Sequence, residues 1–483
     1  MRMNKKWISI LMAISLLIGA GCSYAGMQWS MKMHSMNDEQ MQEIKGDMSE
    51  LEAEEFEKIS TAFRLIYKNY VEQVDEDKLT EGAIQGMLST LDDPYSVYMD
   101  KKTAKQFNET LESSFEGIGA EVSMVDGKVV IVSPFKDSPA EKAGLKPKDQ
   151  ILKIDGKSIE GLDLYAATLK IRGKKGTTVK LEIKRDGLRE PLTVEVVRDE
   201  IPHLTVNSDV MIHNDKKLGY LEITSFSQET AEEFKIELKA LEEEGIEGLI
   251  IDVRNNPGGL LTAVDEILEE LVTKEKPYVQ IEQRNGEKMM NFSNLEEAKE
   301  YPIGVLIDDG SASASEILAG ALKEAGNYPL IGINTFGKGT VQQPVPMGDG
   351  SNIKLTLYKW LTPDGNWIHK KGIAPTFEVK QPKLFHTHPL QVEDVLQTDM
   401  NNEQIKNAQD MLEALGYGPG RNDGYYSAST ATAVKAFQKQ ADLPATGQID
   451  SKTASAMEQE VLTQIKNPKN DLQLQTALRI IAK

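Results

Sequence analysis

The chain has 483 residues, 40% of them hydrophobic and 27% charged, which is too long for one core and fits about three domains with connectors. A formal net charge of −20 excludes a nucleic-acid-binding protein, which needs a basic face for phosphates. It also excludes a broadly cationic membrane-binding surface, and a single cysteine, Cys22, excludes an intramolecular disulfide or a cysteine-based metal centre.

Arg2, Lys5 and Lys6 precede an apolar run over residues 7–21, about signal-peptide length and short for a membrane span of about 20 residues. The run fits an uncleaved anchor, cleavage after Ser23-Tyr24-Ala25, or acylation at Cys22. Residues 1–26 are therefore expected to be a signal peptide or membrane anchor. Each alternative places the body outside the cytoplasm, membrane-tethered or secreted.

Leu51, Phe56, Ile59, Phe63, Ile66 and Tyr67 recur at helical spacing, predicting a helical arm over 37–114 suited to packing on a neighbour or to dimerisation. Leu91-Asp92-Asp93-Pro94-Tyr95 breaks it with a turn.

Over 115–202 the periodicity becomes that of strands. An alternating run at 117–122 and an apolar run at 129–132 precede Ser138-Pro139-Ala140-Glu141-Lys142-Ala143-Gly144-Leu145, a helix over 164–171 and strands near 179–184 and 192–197. This order resembles a bacterial PDZ domain. Such a domain binds a terminal carboxylate on backbone amides and adds the peptide as a strand. Gly117, Ile118 and Gly119 are the candidate peptide-binding loop. Arg172, just after the helix, is either a cation favoured there by the helix dipole or a sensor of bound substrate.

From 203 to 383 strands and helices alternate, with strands at 218–223, 248–253, 305–307 and 330–333 and helices at 228–243 and 315–325. This is α/β patterning around a buried sheet. After a connector rich in Pro and His, residues 390–462 resemble a small three-helix peptidoglycan-binding domain, on Ala408 to Tyr417, Thr430 to Gln438 and Gly447 to Thr453. Residues 463–483 are left as a C-terminal tail. The expected fold class is multidomain α/β (α+β), with a helical N-terminal arm, a PDZ-like domain, an α/β peptidase core and a small helical C-terminal domain.

Three segments of the α/β region carry the chemistry: Asp252-Val253-Arg254-Asn255-Asn256-Pro257-Gly258-Gly259, Gly310-Ser311-Ala312-Ser313-Ala314-Ser315-Glu316 and Thr335-Phe336-Gly337-Lys338-Gly339-Thr340-Val341-Gln342. Peptide hydrolysis needs a nucleophile beside a base and preorganised oxyanion donors. Ser313 at a helix start is exposed to free N–H groups, with Ala314 next to it, and Gly258 or Gly259 lets another N–H approach. None of the six histidines lies in these segments. Lys338 does, and burial can lower a lysine from about 10.4 by two to three units, making it a base near neutrality. Gln342, on the same strand face, supplies a neutral acceptor to orient it. Ser313-x-x-Glu316 also reads as a capping box.

Together the segments resemble the carboxy-terminal processing peptidases, over roughly residues 55–380 and including Thr362-Pro363-Asp364-Gly365 and Gly372-Ile373-Ala374-Pro375. The resemblance implies Ser313 as nucleophile, Lys338 as base and Gln342 as its support. It further implies protein substrates recruited by their C-terminal tails, and a homodimer at the membrane–wall interface. It implies no cofactor and no metal, and His-Glu-x-x-His is absent from the sequence. The alternative is an inactive adaptor that uses the PDZ-like and wall-binding units alone.

Overall fold

A computed structural model describes residues 53–483 except 112–113, 126, 136–137, 163, 186–187, 189, 203 and 393. The leader with Cys22 and the start of the expected arm, residues 37–52, lie outside the described residues. The chain divides after Asp92 into two compact units. The first carries helices Ala53–Asn69 and Glu76–Ser89. Asp75 caps the second helix by accepting the N–H groups of Asp77 and Lys78. Phe56, Ile59, Ile66 and Tyr67 are exposed, so the apolar stripe read from the sequence is not buried by this unit's own fold.

The second unit starts with the strand Val97–Met99 and the helix Lys101–Leu111. Next comes a six-stranded antiparallel sheet built from segments between Ala120 and Val197, closed by the helix Leu164–Ile171. Its core is Ile131, Ile151, Leu181 and Ile183 from the strands with Ala167 and Ile171 from the helix. Strand alternation puts these on one face, as in any half-buried sheet.

The α/β region is a six-stranded sheet in which Val206–His213 pairs antiparallel with Lys216–Ile223. Parallel neighbours then follow in the order Leu249–Asp252, Ile303–Ile307, Leu330–Gly332 and Phe377–Glu378. The central strands are apolar on both faces. Leu249, Ile251, Val305, Ile307 and Leu330 meet the helices Thr230–Glu243, Leu261–Leu268 and Ala314–Glu324. Ile250, Leu306 and Ile331, one residue out of phase, face the other way. A second, five-stranded antiparallel sheet contains Asn352–Leu361, flanked by Thr340–Pro346 and Val97–Met99.

Residues 463–483 are not a loose tail. After the three helices Glu403–Ala414, Ala428–Gln440 and Ser451–Ile465, each capped by a side chain (Asn402, Ser427, Asp450), the chain returns to the α/β sheet. The helix Leu472–Ile481 places Leu474, Ala477, Leu478 and Ile481, at i, i+3, i+4 and i+7, on Leu218, Ile250, Leu306 and Ile331. The parallel strands need cover on both faces, and this helix supplies it. No helix among the described residues is long and apolar enough to cross a membrane.

Leu478 is 5% exposed in that interface. Leu478→Ala is expected to lower unfolding stability by about 2–5 kcal/mol, measured by urea denaturation of the full chain. An exposed tail residue would change it by less than about 0.5 kcal/mol.

Candidate active site

The three segments, far apart in sequence, meet because their strands are neighbours. Residues 253–259 follow Leu249–Asp252, residues 308–313 follow Ile303–Ile307, and residues 333–339 follow Leu330–Gly332. All three loops leave the carboxyl edge of adjacent parallel strands, where open α/β sheets place their sites.

Asn256, fully buried, ties the first loop down. Its side-chain amide donates to Ile223 O at 2.7 Å, and its Oδ1 accepts the Gly258 N–H at 2.8 Å. Gly258 has φ +102°, and a Cβ there would lie 2.8–2.9 Å from Ala312 O, Ala314 N and Ser313 Cβ. At Gly259, φ +150°, a Cβ would lie 2.0 Å from Phe226 O. Only glycine fits either position. The Gly258 N–H is thus engaged by Asn256, a correction to the expectation that it is free to face an oxyanion. Ala314 N–H, at the first turn of its helix, has no carbonyl partner inside that helix.

The three serines of the second segment differ. Ser311 Oγ donates to Val253 O at 2.7 Å and Ser315 Oγ to Asn256 O at 2.9 Å, so both stitch the loops together. Both are fully buried. Ser313, between them, is partly exposed and has φ 54° and ψ −112°, a strained conformation for a residue with a Cβ.

Glu316, with no exposure, accepts four hydrogen bonds. Its Oε2 takes the N–H groups of Ser313 (2.9 Å) and Lys338 (2.7 Å), and its Oε1 takes Gly337 N–H (2.7 Å) and the Thr335 hydroxyl (2.6 Å). The capping box expected from Ser-x-x-Glu is therefore present, and its Glu316 also bridges the second and third segments.

Lys338 projects into the same cavity as Ser313. The cavity measures about 430 Å³ and is lined also by Gln342, Gly258, Gly259 and Ala314, with Phe107, Leu260, Ile317 and Trp360 on its apolar side. Burial pushes the Lys338 ammonium down to about 8, helped by the charge of Lys354 and opposed by Asp93 and Glu316. Nζ lies 4.9 Å from the centroid of the Tyr95 ring. Among the described residues, no hydrogen bond joins it to Ser313. Gln342 sits at a register shift in its strand, after Val341. Its Nε2 donates to Thr340 Oγ1 (2.9 Å) and Thr356 Oγ1 (3.1 Å), which leaves Oε1 as the atom able to accept from a lysine.

Sequence reasoning missed Tyr95, Lys354 and His369. His369 stacks on Trp367 at 5.2 Å and meets Tyr95 edge-on at 6.3 Å, behind the ring that carries Lys338, yet does not line the cavity. Turn chemistry flagged residues 91–95 without a role. A larger cavity, about 890 Å³, lies along Arg254, Asp308 and Asp471 and includes neither Ser313 nor Lys338. Its buried Arg254 is already paired with Asp252 (2.6 Å) and Asp471 (2.8 Å). Among the described residues no group of three or more His, Cys, Asp or Glu is placed to hold a metal ion.

In the PDZ-like unit, Gly117 ends the strand Ser114–Gly117, and Gly119 O accepts Phe135 N–H at 2.9 Å. Ile118 is 3% exposed, its side chain in the core, so it has only backbone to offer a peptide. Arg172 stacks on Phe115, 4.6 Å from the ring centroid, beside Gly117.

Comparison with known proteins bears on these features. Residues 217–379 match the model of peptidase family S41, 117–196 a PDZ domain, 401–457 a putative peptidoglycan binding domain, and 16–103 the N-terminal domain of the activating protease CtpB. The chain is 55% identical over 479 residues to the carboxy-terminal processing protease CtpB of Bacillus subtilis, covering 99% of each. It is 44% identical over 428 residues to CtpA of the same organism, covering 89% of this chain and 90% of that one. A probable CtpA-like serine protease of Staphylococcus haemolyticus is 35% identical over 453 residues, covering 93% and 88%. With likeness running through nearly the whole of both chains, the protein belongs to peptidase family S41, among the carboxy-terminal processing proteases, and is a serine protease with a PDZ domain and a peptidoglycan-binding domain.

Proposed function

We propose that this protease cleaves exported or membrane proteins through Ser313 as nucleophile, Lys338 as general base and Gln342 as the acceptor that orients the lysine. The observation that carries the reading is the meeting of a strained, partly exposed serine and a half-buried lysine in one cavity, with the lysine held near 8. The neutral amine of Lys338 takes the proton of Ser313 Oγ as the oxygen attacks the scissile carbonyl. Ala314 N–H, with Gly259 at the facing loop, stabilises the oxyanion. Lys338 then gives the proton to the leaving nitrogen as the C–N bond breaks, and water hydrolyses the acyl-enzyme by the same route in reverse. Before attack the lysine must turn from the Tyr95 ring toward Ser313. The apolar wall of Phe107, Leu260 and Ile317 suits an apolar residue before the cleaved bond.

The PDZ domain recruits C-terminal tails, with Arg172 facing the terminal carboxylate from its seat on Phe115. The peptidoglycan-binding domain and the apolar leader support a position at the cell envelope, tethered or secreted. The exposed apolar stripe of the helix Ala53–Asn69 fits pairing with a second copy of the chain.

Ser313→Ala and Lys338→Ala are both expected to abolish cleavage of an unstructured reporter with an apolar C-terminal tail. Wild-type rate should rise with pH through a midpoint near 8, since the unprotonated lysine is the active form. Cleavage surviving in Lys338→Ala would name another base.

Arg172→Ala should raise KM for the tailed reporter and leave kcat within about twofold. A fall in kcat at unchanged KM would remove Arg172 from substrate capture.

Glu316→Gln places an amide donor against backbone donors, so phosphonylation of Ser313 by a fluorophosphonate should slow at least roughly tenfold while the far-UV circular dichroism is unchanged. Full labelling speed would show that the Glu316 bridge is dispensable.

A further inference from the structure

Of the described residues lining the Ser313 cavity, only Lys338 and Lys354 have ionisable side chains, and both are cationic when protonated. Lys354 lies on the strand Asn352–Leu361, in register between Pro344 and Val97. Thr356, two residues on and so on the same face, holds Gln342. The Lys354 ammonium rests over the Phe107 ring, 4.8 Å from its centroid. Among the described residues it forms no ion pair. A partly buried cation without a carboxylate is costly, and a surface lysine with no task would turn toward water.

We propose that Lys354 is a positioning residue that keeps the Lys338 amine unprotonated by presenting a second positive charge inside the same cavity. The inference rests on the assignment of Lys338 as base. Four side chains act on Lys338. Lys354 repels its ammonium from the strand Asn352–Leu361. Asp93 and Tyr95, ahead of the strand Val97–Met99, and Glu316, from the helix Ala314–Glu324, attract it. Both carboxylates are engaged elsewhere, Asp93 on Ser96 Oγ (2.7 Å) and Tyr95 N–H (3.1 Å), Glu316 on its four donors. Lys354 therefore adds, to the burial that lowers Lys338 most, a repulsion that works against the two nearby acids. A neighbouring cation is a general means of leaving a lysine unprotonated near neutral pH. Burial lowers Lys354 as well, and Phe107 steadies its ammonium, since an aromatic face attracts a cation but takes no proton from it. The same repulsion helps the later step. Once Lys338 has taken the Ser313 proton, two ammonium groups share the cavity, and passing the proton to the leaving nitrogen relieves them.

The test is the pH dependence, from 6 to 10.5, of Ser313 phosphonylation by a fluorophosphonate on the full chain and its Lys354→Met, Lys354→Arg and Lys338→Met forms. Lys354→Met should move the midpoint upward by roughly half to one unit, with the rate recovering at high pH. Lys354→Arg should restore the wild-type midpoint. An unmoved midpoint in Lys354→Met, or a loss equal at every pH, would overturn the inference and leave Lys338 as base. Labelling of Lys338→Met with the wild-type pH profile would instead remove the base itself, and the role of Lys354 with it.

Discussion

The Glu316 carboxylate stands at the junction of everything the site needs. One oxygen takes the N–H groups of Ser313 and Lys338, the other Gly337 N–H and the Thr335 hydroxyl, with no exposure to water. A buried carboxylate is tolerated only when donors surround it, and here the donors come from two loops on adjacent strands. The relative position of serine and lysine is therefore set by one rigid group rather than by loop packing. Thr335 extends the network, since its hydroxyl also accepts Ile373 N–H at 2.7 Å. Charge-assisted hydrogen bonds of this kind are about twice as strong as neutral ones, which suits a joint that must not drift.

That joint works only on a stiff base, and the sheet provides it. Parallel strands buried on both faces deliver three loops to one edge, with helices on one side and Leu472–Ile481 on the other. Arg254 links the layers, since it sits in the first loop and pairs with Asp471, the cap of that last helix. The C-terminal helical module is thus held between two attachments to the same sheet. Its position follows from the chain's return rather than from a free linker.

Much of this was legible in the sequence because the signals are local. The three glycine-rich segments, the change from helical to strand periodicity near 115 and the capped helices after 402 all announce themselves within a few residues. Other features needed the fold. Ser-x-x-Glu reads as a helix cap, and Glu316 does bond the Ser313 N–H. Nothing in that spacing reveals that the same oxygen also holds Lys338. Lys354 comes to the lysine across the pairing of Thr340–Pro346 with Asn352–Leu361, and Tyr95 through the pairing of Val97 with Lys354, more than 250 residues apart, which no short pattern encodes. The Gly258 N–H looked available because glycine invites approach. The Asn256 side chain two residues earlier takes it, a local contact visible only once that side chain and the loop backbone are placed.

Electrostatics inside the site run against the protein's overall character. The chain carries a net charge of −20, yet the charges lining the cavity are two lysines. A lysine must be neutral to accept a proton, and in a strongly acidic protein it would tend toward the ammonium form. Burial opposes that tendency, and the nearby acids, Asp93 and Glu316, are occupied as hydrogen-bond acceptors. Occupied carboxylates still exert a field, and burial is the larger of the two influences set against it. A second cation fixed on an aromatic ring is the kind of group that offsets it without offering the lysine a partner. The acidic exterior and the cationic cavity are thus consistent, because the first is solvated and screened while the second is enclosed and acts at short range.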